Sequence, residues 1–116
     1  MNKIPEITVH ELATKMEKGE KFIILDVREA WETSLARIDD ERAFLLPMSR
    51  IAREQKDAFP PALRDPQTEI VVMCHHGVRS ADVTGWMQQQ GWQNVSSLAD
   101  GIAAYSKEID PLVGMY

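Results

Sequence analysis

The run Glu69-Ile70-Val71-Val72-Met73 is β-branched and apolar, and it halts abruptly at the polar stretch Cys74-His75-His76-Gly77-Val78-Arg79. An apolar run this short is read as a strand covered on both faces. The following segment, Ser80–Gln90, carries Val83, Trp86 and Met87 as one apolar helical stripe and closes at Gly91. Trp86 and Met87 are therefore assigned to the core. A doubly covered strand leading into a helix belongs to a layered α/β fold, because parallel neighbours are joined by right-handed crossovers.

The rest of the chain repeats this alternation. Ile4–Val9 opens extended. Thr8 with Glu11 fits a capping box, followed by Val9, Leu12, Ala13 and Met16 at helical spacing and a stop at Gly19. Phe22–Leu25 reads as a second buried strand with Asp26 at its carboxyl end. Ala30–Leu35 is expected to be a short helix and Ala43–Leu46 a strand stopped by Pro47. Ser49–Phe59 is expected to be one helix with Ile51, Ala52 and Phe59 inward, broken by Pro60-Pro61. Val95–Leu98 is a further strand and Ile102–Ile109 a last helix bearing Ala103 and Tyr105. With no linker or repeat, residues 1–116 are expected to form a single domain.

Composition narrows the function. The chain has 18 Asp+Glu against 13 Lys+Arg, a net charge of -5, which argues against nucleic acid or an anionic membrane as the main partner. No apolar run approaches the ~20 residues of a membrane helix, and Met1–Pro5 lacks the pattern of a signal peptide, so a cytoplasmic protein is expected. The single cysteine excludes an internal disulfide and a multi-thiolate metal cage.

That cysteine stands at the carboxyl end of a strand, where open parallel sheets place their sites. A loop curling from strand into helix turns several N–H groups inward, and such a nest favours negative charge at its centre. Gly77 suits the left-handed turn this needs. A sulfur held there favours its nucleophilic thiolate form, and Arg79 supplies a planar fork of donors for an oxyanion on substrate or intermediate. His75 and His76 are read as pocket-rim residues; adjacent side chains on a tight loop rarely converge on one ion, so no metal site is assigned. Asp26 and Arg28 are expected to brace the loop, Asp26 in a capping arrangement with Glu29. Trp31 and Trp92 are candidates for the pocket entrance, although a partly buried surface aromatic is the commoner case.

Met73-Cys74-His75-His76-Gly77-Val78-Arg79-Ser80 resembles the active-site loop of the rhodanese family: cysteine, two variable residues, glycine, one residue, arginine and often serine. Leu25-Asp26-Val27-Arg28-Glu29 with Trp31-Glu32 resembles the family's Asp-Val-Arg-Glu segment. Asn94-Val95, Leu98 and Asp100-Gly101-Ile102 with Ala104-Tyr105 resemble its closing strand and helix. The likeness spans roughly residues 20–109 and is greatest to stand-alone members with a His-His loop and an Asp-Pro tail, here Ile109-Asp110-Pro111. It implies a central five-stranded parallel sheet flanked by helices on both faces. It also implies a thiosulfate sulfurtransferase-like enzyme in which Cys74 attacks the sulfane sulfur of thiosulfate or a persulfide. The sulfur rides as a Cys74 persulfide and passes to cyanide or a thiol in a ping-pong sequence. His75, His76, Gly77, Val78, Arg79 and Ser80 would line the substrate, without metal or organic cofactor. The partners implied are small sulfur-containing anions, thiol acceptors and a possible sulfur-carrier protein.

In one stretch the sequence departs from the family. Where most members carry Gly-His-Ile-Pro-Gly-Ala, this chain has Ala36-Arg37-Ile38-Asp39-Asp40-Glu41-Arg42-Ala43; Ile38 and Ala43 keep the fold's apolar positions, while donor preference is open to change. Three other functions compete. A cysteine phosphatase would space Cys and Arg by five residues, and only four intervene here, His75 to Val78. An arsenate reductase-like activity is a minor alternative. A non-catalytic or persulfide-carrier module is the third.

Overall fold

A computed structural model describes residues 3–116; Met1 and Asn2, part of the opening segment weighed against a signal peptide, lie outside it. Five strands, β1 (Glu6–Ile7), β2 (Ile23–Asp26), β3 (Ala43–Leu45), β4 (Ile70–Met73) and β5 (Val95–Leu98), form one sheet in the order β1-β5-β4-β2-β3. Every pairing is parallel. Central β4 pairs Ile70 through Met73 with Ile23 through Asp26 of β2, and Ile70 through Val72 with Val95 through Ser97 of β5. The α/β architecture is the expected one.

Strand periodicity divides the core in two. Leu25, Ile70 and Val72 face one side with Ile51 of α2 (Met48–Glu54) and Val83 and Met87 of α3 (Val78–Gln90). Ile24, Val71, Met73 and Leu98 face the other with Leu12 of α1 (Val9–Glu17) and Ile102 and Tyr105 of α4 (Gly101–Glu108). Both faces of β2 and β4 are thus closed, which is why their sequences are continuously apolar. The Thr8–Glu11 capping box forms, with N–H···O distances of 3.0 and 3.1 Å.

Some boundaries differ from the sequence reading. Ser49–Phe59 is not one helix. α2 ends at Glu54 and a 3-10 turn, Gln55–Ala58, follows; Gln55 has φ 54°, a value no helix continues through. The segment 30–34 is also 3-10 rather than α. Phe59 is still inward, stacked on Trp86 at 6.0 Å and tilted against Trp92 at 4.9 Å. Trp92 is buried and donates its Nε1–H to the Leu63 carbonyl at 2.7 Å, so it belongs to this aromatic cluster and not to a pocket entrance; Trp31 is exposed. In the segment that departs from the family pattern, Ala36 and Ile38 are buried and Arg42 pairs with Asp40.

Helix α4 is fixed to the cysteine loop by its own first turn. The N–H of Ile102 donates to the Cys74 carbonyl at 2.9 Å and that of Ala103 to the His75 carbonyl at 3.1 Å. This approach requires a glycine: Gly101 has φ 62°, and a Cβ there would lie 2.5 Å from the Cys74 oxygen and collide with that of His75. Gly101→Ala should therefore destabilise the fold by about 2 kcal/mol or more, the sum of backbone strain and a steric clash. Urea unfolding monitored by far-UV circular dichroism checks this; a stability equal to wild type would show that α4 and the loop separate without cost.

Candidate active site

Cys74 is the first residue after β4, and only 1% of its surface is exposed. The chain then curls through His75, His76 and Gly77, the last with φ 99°, into α3. Helix α3 starts at Val78, two residues earlier than the sequence reading, so its amino end forms part of the loop. The Gly77 N–H reaches the Cys74 sulfur at 3.1 Å and the Ser80 N–H at 3.3 Å. The Ser80 hydroxyl lies 3.4 Å from the same sulfur, and it contacts the Gly77 carbonyl at 3.2 Å and the Ser97 hydroxyl at 2.7 Å. A hydroxyl both donates and accepts, so Ser80 can serve the sulfur as thiol or thiolate. Ser80 is fully buried beneath the sulfur, whereas Val78 is 72% exposed on the outer side of the loop.

Arg79 is placed differently from the oxyanion ligand expected of it. Its two terminal nitrogens donate to Glu32 at 2.7 and 2.8 Å, a bidentate pair that occupies the guanidinium fork. Glu32 also accepts from the Glu29 N–H at 2.8 Å and the Tyr116 hydroxyl at 2.8 Å. Arg79 and these further donors outweigh burial and hold the Glu32 carboxyl at about 2, well below its ordinary 4.5. The same pairing raises Arg79. Glu32, and not Asp26, thus satisfies the backbone at Glu29.

Asp26 and Arg28 form the second pair. Arg28 is completely buried and donates from Nε and Nη2 to the two Asp26 oxygens at 2.9 and 2.8 Å, while the Arg28 N–H also reaches Asp26 at 3.1 Å. The remaining terminal nitrogen contacts the Glu32 carbonyl at 3.4 Å and the Tyr116 hydroxyl at 3.2 Å. Their side-chain hydrogen bonds run to each other, to the Glu32 carbonyl and to Tyr116, and none reaches the loop, residues 74–79, directly. On its outer side the rings of His75 and His76 stack at 3.8 Å, and His75 also stacks on Tyr116 at 3.8 Å. Burial, reinforced by His76, lowers the pKa of His75 below its ordinary value. Among the described residues no group of three or more His, Cys, Asp or Glu side chains could hold a metal ion.

Glu32 and Tyr116 are the site residues that sequence reasoning missed. Glu32 lies in the Trp31-Glu32 segment of the family resemblance, but its partner Arg79 is 47 positions away. Nothing local marks Tyr116.

The parallel α/β sheet thus delivers Cys74 into a loop whose N–H groups at Gly77 and Ser80 face its sulfur. Residues 8–108 match the rhodanese-like domain family, and the chain belongs to it. It is 30% identical over 116 residues to the chloroplastic rhodanese-like/PpiC domain-containing protein 12 of Arabidopsis thaliana, covering 97% of this chain and 38% of that protein. It is 33% identical to the probable adenylyltransferase/sulfurtransferase MoeZ of Mycobacterium tuberculosis over 95% of this chain and 26% of that one. The chain thus spans well under half the length of these relatives. Among solved structures, a rhodanese-related protein from Thermoplasma volcanium superposes with a TM-score of 0.72 at 27% identity, covering 90% of this chain and 93% of that one.

The Glu32 carboxylate, with its side chain only 4% exposed, makes stability depend on acid. Its folded-state value is depressed, so its contribution is complete above about pH 4.5 and is lost as pH falls towards about 2. Glu32→Gln should remove on the order of 3 kcal/mol of that pH-dependent stability. Urea midpoints of the two proteins between pH 5 and pH 2 read the difference; parallel pH profiles would show that Glu32 is not held down.

Proposed function

We propose that the protein moves sulfane sulfur from a small donor, thiosulfate or an alkyl persulfide, to a thiol acceptor through a persulfide on Cys74. The observation that carries this reading is the convergence of the Gly77 and Ser80 N–H groups on the Cys74 sulfur at 3.1 and 3.3 Å. Dipoles fixed before reaction stabilise negative sulfur without reorganisation. They are placed to support a charge that returns to the same site in each half of the cycle.

In the first half-reaction the Cys74 thiolate attacks the outer sulfur of the donor. A new S–S bond forms, the donor's own S–S bond breaks, and sulfite or a thiolate leaves with the electron pair. In the second, an acceptor thiolate attacks the outer persulfide sulfur and Cys74 departs as thiolate. Loop amides and the amino end of α3 supply the anion cradle, because the Arg79 fork is engaged by Glu32. That engagement, with the four-residue spacing from Cys74 to Arg79, also disfavours phosphoryl transfer, which needs a guanidinium free to clasp equatorial oxygens. The reaction takes place in this chain's own site and requires no cofactor; a cytoplasmic setting and a carrier-protein acceptor are consistent with it.

Incubation with thiosulfate should add the mass of one sulfur atom to the intact protein, and a thiol such as dithiothreitol should remove it. Cys74→Ala should take up none. Intact-mass spectrometry measures both, and a wild type that gains no sulfur from thiosulfate or from an alkyl persulfide overturns the reading.

A further inference from the structure

The segment after α4 returns across the site. Asp110 caps the turn Pro111–Val113 through the Leu112 N–H at 3.0 Å, and the Val113 carbonyl accepts from the Arg37 N–H at 3.0 Å. Gly114 then passes so close to Leu35 that a Cβ there would stand 2.5 Å from the Leu35 carbonyl oxygen. This path brings Tyr116 to the cysteine loop, where it makes three kinds of contact at once. Its hydroxyl donates to Glu32 at 2.8 Å and accepts from Arg28 at 3.2 Å. Its ring lies over His75 at 3.8 Å and 6° from parallel. Its backbone oxygen stands 2.8 Å from the His75 Nε2.

We propose that Tyr116 is a positioning residue for sulfur transfer, joining the Asp26–Arg28 and Glu32–Arg79 pairs through its hydroxyl and fixing the His75 ring through its face. The inference rests on the sulfurtransferase reading of Cys74. Without the hydroxyl, the two ion pairs have no side chain in common. Without the ring, His75 keeps only the His76 stack and is less constrained on a loop whose amides must stay aimed at the sulfur. The groups that face His75 are its neighbours His76 and Tyr116, with Glu32 and Arg79 near enough to act on its charge. Removing Tyr116 changes one of these partners and admits water to the ring.

Two variants separate hydroxyl from ring. Tyr116→Phe keeps the stack and should slow Cys74 persulfide formation in single turnover by about tenfold, the worth of one hydrogen bond to a charged group. Tyr116→Ala should slow it further, by roughly a hundredfold for a displaced loop. In Tyr116→Ala the NMR titration of His75 should also move upward towards that of an ordinary exposed imidazole, while in Tyr116→Phe it should stay where it is. Unchanged rates in both variants, or an unmoved His75 titration in Tyr116→Ala, overturns the proposal. So does a Tyr116→Phe rate loss accompanied by an equal loss of thermal stability, which would make the tyrosine merely structural. If wild type loads no sulfur, the sulfurtransferase reading fails; the His75 titration still decides on its own whether Tyr116 orders the site.

Discussion

The structure depends on how the backbone polar groups of one loop are shared out. Between β4 and α3 the chain exposes carbonyls on one side and N–H groups on the other. The first N–H groups of α4 take the carbonyls of Cys74 and His75. The N–H groups of Gly77 and Ser80 are left facing inward, and the group they meet is the Cys74 sulfur. An inward donor needs a partner as much as a buried carbonyl does. Helix α4 therefore shapes the site without contributing a side chain to it: by taking one side of the loop's hydrogen bonding it dedicates the other to the sulfur.

Charge is arranged around this core so that nothing competes with it. Each of the two guanidinium groups behind the loop is paired bidentately with its own carboxylate, Arg28 with Asp26 and Arg79 with Glu32. Each pair is internally neutral, and burial disfavours a charge on His75. The sulfur is met by the aligned N–H groups of Gly77 and Ser80, while the Arg79 cation, whose charge also reaches Cys74, has its fork occupied by Glu32. The overall acidity of the chain is no obstacle, because the local field comes from the loop and the amino end of α3.

Much of this was legible in the sequence where information is local. The strand β4, the cysteine after it, Gly77 and the helix that follows are adjacent, and their residue types carry their own geometry. The Thr8–Glu11 box and the apolar β2 were readable for the same reason. What escaped was set by contacts between distant segments. Arg79 meets Glu32 across 47 positions and Glu32 meets Tyr116 across 84, so no spacing rule announces either. Asp26 was assigned to Glu29 because the two are close in sequence; the buried Arg28 took it instead. The helix drawn over Ser49–Phe59 failed at Gln55, where the chain bends to bring Phe59 against Trp86 and Trp92. There packing overrides an intrinsic preference that would have carried the helix on.

The sheet order β1-β5-β4-β2-β3 has a bearing on when, during folding, the thiol becomes shielded. The thiol meets Gly77 and Ser80 directly, and the residues that hold these and their neighbours, Glu32 through Arg79, Ser97 through Ser80, the start of α4 and Tyr116 through His75, span most of the chain. Contacts this far apart in sequence form late, after the entropy of closing large loops has been overcome. A partly folded chain can hold β2 and β4 together while Cys74 is still open to any oxidant or electrophile. Completion of the fold and burial of the sulfur are consequently coupled, because the Cys74 carbonyl is itself held by the first turn of α4.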